Sequence, residues 1–160
     1  MTGVSMGKMA LRDVIKNSNL IVIAKKGKPI FTEEGIDITP SGERKDDKKY
    51  PTFIKATYDF QVVKILLNDT NESIEQGKTI KVYPAYQEFR FEMHQRYYLK
   101  GDRKSWLEDY YSPSIKLENE KEPILFLKRA SDGNFTFTVI DSFESSALLK
   151  RIVAMIKKEK

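Results

Sequence analysis

Residues 53–61 alternate without a break: Ile54, Ala56, Tyr58 and Phe60 fall on one side of an extended chain, and Lys55, Thr57, Asp59 and Gln61 on the other. That period of two is the pattern of a strand with one face on a core. Residues 62–67 are then nearly continuous in hydrophobicity, so the strand bends or becomes covered on both faces before a turn at 68–71. A strand of this length and curvature needs partners that wrap with it, which commits the chain to a mainly β architecture.

The flanking segments supply those partners. Leu11, Val14 and Ile15 have helical spacing and lead into an apolar strand at 20–24, which extends through Pro29, Ile30 and Phe31. Gly35, Pro40, Gly42 and the charge run 43–49 then read as an exposed loop over 32–50. After Gly77, residues 79–83 form a strand that Pro84 interrupts. Phe89, Phe91 and Met93 alternate with Arg90, Glu92 and His94, predicting a further strand that runs towards Tyr97, Tyr98 and Leu99, with Phe89 and Phe91 facing the core.

Ser105 and Glu108 have capping-box spacing, and Trp106, Leu107 and Tyr110 then dock one helical turn. Two β segments, 124–127 and 135–140, flank Asp132 and Gly133, which supply the positive dihedrals of a hairpin. Asp141 and Glu144 are spaced to cap a C-terminal helix over 141–160, with Leu148, Ile152, Met155 and Ile156 as its apolar stripe.

A chain of 160 residues, 40% hydrophobic and 32% charged, suits one folded domain over residues 1–160. No apolar stretch is long enough to span a bilayer, so no membrane insertion is expected, and residues 1–10 carry no signal-peptide pattern. With no cysteine there is neither a disulfide framework nor a thiolate site, and the compartment stays open. The net charge of +5 is spread over interleaved lysines and glutamates and reads as a solvated face. Its densest clusters are Lys25, Lys26 and Lys28, the run 44–49, and the tail Lys157, Lys158 and Lys160.

The order of elements suits an OB-like antiparallel barrel or curved sheet of five or six strands with a C-terminal helix. Three runs carry a closer resemblance: Asn19 to Ala24, Phe60 to Leu67, and Ile124 to Leu127 followed by Asp132, Gly133, Asn134 and Phe135. In this order they resemble small bacterial domains similar to the netrin and tissue-metalloproteinase-inhibitor OB fold. The resemblance implies that fold and, since such bacterial domains are mostly exported, points towards an envelope location, with the cytoplasm as the alternative. It does not bring the inhibitory mechanism with it, because animal inhibitors of this type reach a catalytic metal through an amino-terminal cysteine and this chain has none.

The residues give little chemistry to work with. His94 is the single histidine, which leaves no histidine cluster for a metal, and it reads as a solvent-facing strand residue. The acidic pairs Glu33 with Glu34, Asp46 with Asp47, and Glu108 with Asp109 have no calcium-loop spacing and read as structural or solvated carboxylates. The glycines are isolated and form no phosphate cradle. No catalytic residue, metal ligand or cofactor site is therefore assigned.

Aromatic and basic residues crowd the middle of the chain, where Arg96, Tyr97, Tyr98, Trp106 and Tyr110 are the least explained by core patterning. Such residues anchor protein interfaces. The expectation is a non-catalytic binding module with a protein partner. Single-stranded nucleic acid on an OB-type surface is the alternative, and an enzyme with an unrecognised site is the second.

Overall fold

The computed structural model describes residues 4–36, 51–101 and 106–160. In chain order the elements are β1 (Val4–Lys8), α1 (Leu11–Lys16), β2 (Leu20–Ile36), β3 (Phe53–Asn68), β4 (Thr79–Tyr83), α2 (Gln87–Lys100), β5 (Trp106–Tyr110), β6 (Ile124–Arg129), β7 (Phe135–Phe137), β8 (Phe143–Glu144) and α3 (Leu149–Glu159). The chain is mainly β with flanking helices, as its strand patterns predict.

Five strands close a ring in the order β2-β3-β4-β7-β6 and back to β2. All contacts in it are antiparallel except β4 with β7, which run parallel. Counting ring strands alone, the third lies beside the fifth and the fourth beside the first, an OB-like barrel. Closure removes free strand edges. Register shifts between β2 and β3, at Ile21/Val22, Ile23/Ala24 and Lys26/Phe31, provide the bends that let two such long strands curl.

The apolar run in β2 is explained by its position between two cores. Leu20, Val22 and Ala24 point into the barrel with Phe60, Val62, Leu125 and Leu127. Ile21 and Ile23 point outward against Val14, Ile15, Phe126, Ile152 and Ile156, so α1 and α3 cover the outer face. A strand buried on both faces loses its alternation in sequence. In β3 the alternation resolves at Phe60 and Val62, which are buried on either side of exposed Gln61. Ile54, expected inside, is 56% exposed.

The hairpin between β6 and β7 forms as expected, with Gly133 at φ +89°. Asp132 does not share that conformation; its carboxylate instead accepts the Asn134 N–H at 2.9 Å. β7 ends at Phe137 rather than reaching residue 140.

Four other expectations are corrected. Residues 89–99, predicted as a strand, lie in helix α2. Phe89, Met93 and Tyr97 recur every four residues as well as alternating, and the segment is rich in good helix formers, Gln, Glu, Arg, Met and Lys. Gly101 ends it in the left-handed conformation at φ +66°. Residues 106–110, predicted as a helical turn, are strand β5, paired in parallel with β1; Ser105 lies outside the described residues. Local spacing carries no trace of a partner a hundred positions away.

The C-terminal helix starts at Leu149, not Asp141, after a 3-10 turn at Ser146–Leu148. Ser145 caps that turn through Oγ, which accepts the Ala147 N–H at 3.1 Å. Residues 32–36 belong to β2, and the remainder of the predicted loop, 37–50, lies outside the described residues together with the charge run 44–49. No helix among the described residues is long and apolar enough to cross a membrane.

Candidate binding cleft

A cleft of about 500 Å³ opens onto the inner core. Tyr58 from β3, Phe137 from β7, Phe143 from β8 and Ala85 just after β4 contribute its apolar floor. Ile115 and Leu117, on the segment between β5 and β6, form a wall. Rings meet edge to face across this floor, Tyr58 with Phe137 at 5.7 Å and Phe137 with Phe143 at 6.3 Å between centroids, a favourable packing for aromatic side chains. The volume and apolar lining are those of a ligand or anchor pocket.

Three polar arrangements hold the walls. First, Lys26 Nζ donates to the Leu117 carbonyl at 2.6 Å and ties β2 to the wall. Lys26, read from sequence as part of a solvated cluster, is a brace. Second, Glu144, 2% exposed on β8, accepts from Tyr111 Oη at 2.6 Å, from the Ser145 N–H at 2.8 Å, and from the N–H and hydroxyl of Ser114. It thereby fixes residues 111–114, which lead into the wall. Burial raises the Glu144 carboxyl, but the hydrogen bonds from Ser114, Tyr111 and Ser145 outweigh it and hold the group below the usual glutamate value. Burial and the same carboxylate push the Tyr111 hydroxyl well up.

Third, Glu108 on β5 is 1% exposed, so of the two roles open to it, structural and solvated, it takes the structural one. It accepts from Arg90 Nε at 2.9 Å, from Arg90 Nη2, and from Trp106 Nε1 at 2.7 Å. Burial raises this carboxyl too, and the Arg90 and Trp106 hydrogen bonds outweigh it, for a net lowering. Arg90 lines the cleft with its charge already balanced. α2 is fastened further by Gln87 Oε1, which accepts the Ala56 N–H at 2.8 Å, and by Tyr86 Oη, which accepts the Asp109 N–H at 3.0 Å.

Asp141 differs from these groups. It lines the cleft at its solvent-accessible rim and holds φ +58°, a left-handed conformation uncommon for a residue with a side chain. Its carboxylate makes no hydrogen bond or ion pair among the described residues. The protein packed around it removes enough water to raise the carboxyl above the ordinary aspartate value. Its field reaches the floor: the Tyr58 hydroxyl is raised by burial and then by the Asp141 and Glu33 charges.

The aromatic and basic residues expected to form a binding face are divided between two places. Arg96, Tyr97 and Tyr98 lie on the later turns of α2, where the Tyr97 and Tyr98 rings are 4.7 Å apart and Arg96 pairs with Glu92 at 3.0 Å. His94 belongs with them, partly buried on a helix rather than solvent-facing on a strand. Its ring is 4.7 Å from Tyr98, and its Nε2 lies 3.0 Å from the Pro51 carbonyl oxygen.

Trp106 packs edge to face on Phe89 at 5.4 Å, near the start of α2. Phe89 and Tyr97 are eight residues apart, about 12 Å along the helix axis. Tyr110 closes β5 and bridges to Ile140. Phe89, expected in the core, is 38% exposed.

Sequence reasoning missed the cleft because its parts come from six separate stretches of chain. The signals that bore on it, Asp141 and Glu144, were absorbed by the capping-box pattern. Among the described residues no group of three or more His, Asp or Glu side chains could hold a metal ion. No protein-family profile and no curated protein matches the sequence.

Proposed function

We propose that the chain is a non-catalytic binding module that receives an anchor side chain of a protein partner in this cleft. The observation that carries the reading is a preformed apolar floor, Tyr58, Phe137 and Phe143, inside walls fixed by buried hydrogen-bonded carboxylates. Pockets of this kind hold the few side chains that dominate protein interfaces, and walls braced in advance reduce the ordering cost of association. The barrel order supports kinship with the netrin-like OB domains; that kinship brings no activity with it.

OB barrels that take single strands use the face of their second and third strands, here β3 and β4. The aromatic residue on the outer side of β4 is Tyr83, which is 6% exposed and donates its hydroxyl to Asp132 at 2.5 Å. That ring is not open for stacking, so the geometry favours protein over nucleic acid.

The test is affinity capture from extracts of the source cells with the wild-type chain and with Ile115→Arg, which fills the cleft from its wall, each with and without nuclease. Thermal unfolding checks that the variant is folded. One protein held by the wild type, lost with Ile115→Arg and indifferent to nuclease, is the expected result. Equal retention by the variant, or loss on nuclease treatment, contradicts the reading.

A further inference from the structure

The charges around the cleft differ in how far they are already answered. Arg90 is neutralised by Glu108, and Lys26 is fixed on the Leu117 carbonyl. Lys116 and Glu118 are both exposed, lie two residues apart and are of opposite sign. Those two offset each other in net charge without an ion pair between them, whereas Asp141 is a carboxylate in a left-handed backbone conformation, without a hydrogen bond or ion pair among the described residues, on the rim of an apolar cleft.

We propose, resting on the reading of the cleft as a protein-binding site, that Asp141 selects partners in which a lysine or arginine stands beside the apolar anchor. The anchor lies on the floor against Tyr58, Phe137 and Phe143, and the neighbouring cation reaches the Asp141 carboxylate at the rim. An anion in the same place would meet that carboxylate as a like charge. Of the cations on the lining, Arg90 is committed to Glu108, whose carboxylate would be left buried without its ion-pair partner, and exposed Lys116 has Glu118 two residues away to repel an anion.

A positive φ at a residue other than glycine is a local cost that persists where the surroundings impose it, and such positions concentrate at binding sites. Aliphatic stems of lysine and arginine also pack on apolar surface while the charged head reaches water or a partner. A rim carboxylate above an apolar floor suits both properties.

The test is a nuclear magnetic resonance titration of the full chain with three capped dipeptides: acetyl-leucyl-lysine amide, acetyl-leucyl-glutamine amide and acetyl-leucyl-glutamate amide. The expected result is saturable shifts at Tyr58, Leu117 and Asp141. The lysine dipeptide should bind about threefold tighter than the glutamine one, the size of an exposed ion pair, with the glutamate dipeptide weakest. In Asp141→Asn, which keeps the shape and tolerates the left-handed conformation, the three should converge.

Equal affinity of the lysine and glutamine dipeptides for the wild type overturns the proposal while leaving the apolar anchor site standing. So does an unchanged lysine preference in Asp141→Asn. Shifts from the glutamate dipeptide or inorganic phosphate that exceed those from the lysine dipeptide overturn it in favour of an anion site, and absence of any shift at the cleft overturns it outright.

Discussion

The Arg90 guanidinium grips the Glu108 carboxylate at both oxygens, Nε to Oε2 at 2.9 Å and Nη2 to Oε1, and so fastens the first turn of α2 to β5. The two ends of this contact are unequal: the Arg90 side chain is 43% exposed and that of Glu108 only 2%. Replacing Arg90 leaves a buried carboxylate with Trp106 as its remaining side-chain donor. Arg90→Ala is therefore expected to lose about 2 kcal/mol of stability in urea unfolding. The double variant Arg90→Ala, Glu108→Gln should recover part of that loss, because the buried charge has gone as well. A double variant no more stable than Arg90→Ala would contradict the account.

Acid should unfold the protein through Glu108 and Glu144. Both carboxyls sit below their ordinary value of 4.5, since hydrogen bonds to the ionised form outweigh the effect of burial. A lowered folded value means that the stabilisation is fully present above 4.5 and is lost as pH falls through the folded values. Denaturant midpoints measured from pH 7 downward should therefore decline below pH 4.5. Glu144→Gln should be less stable at pH 7 and show a shallower decline; a decline as steep as that of the wild type would contradict its role.

Asp141 carries the opposite sign. Burial raises its carboxyl above 3.8, so the folded state favours the neutral acid. Stability associated with that proton is present below 3.8 and lost as pH rises through the folded value. Asp141→Asn is expected to unfold at a slightly higher temperature than the wild type at pH 7, and the gain should disappear near pH 3. A loss of stability at pH 7 would show that the carboxylate has a structural partner.

The parts of the fold that could be read from the sequence are those whose signal is local. The hairpin around Gly133 announces itself by turn chemistry, and β3 and the α3 stripe of Leu148, Ile152, Met155 and Ile156 by period. The misread parts depend on residues far away in the chain. Trp106, Leu107 and Tyr110 are extended because β1 lies beside them, and nothing within residues 105–110 encodes that. Phe89, Met93 and Tyr97 fit a period of two and a period of nearly four equally well. Left-handed Tyr86 and Gly101 set the ends of the helix they belong to.

Glu108, Asp141 and Glu144 were misassigned for a related reason. Their spacing, Ser105 with Glu108 and Asp141 with Glu144, matches a capping box, and only the fold shows that Glu108 is buried under Arg90 and Trp106 while Asp141 stands over an apolar cleft. Glu144 is instead bound by Tyr111 and Ser114 from thirty residues upstream.

The central claim is that a protein partner seats itself in the cleft beside Ile115. Its most direct test is to replace Lys116, exposed on the wall of the cleft, with photoreactive benzoylphenylalanine, irradiate the cells that make the chain, and compare the adducts with those from the same replacement at Lys150, exposed on α3. A discrete protein adduct from position 116 and none from position 150 is the expected result. No adduct at 116, the same adducts at both positions, or an adduct that nuclease removes would contradict it.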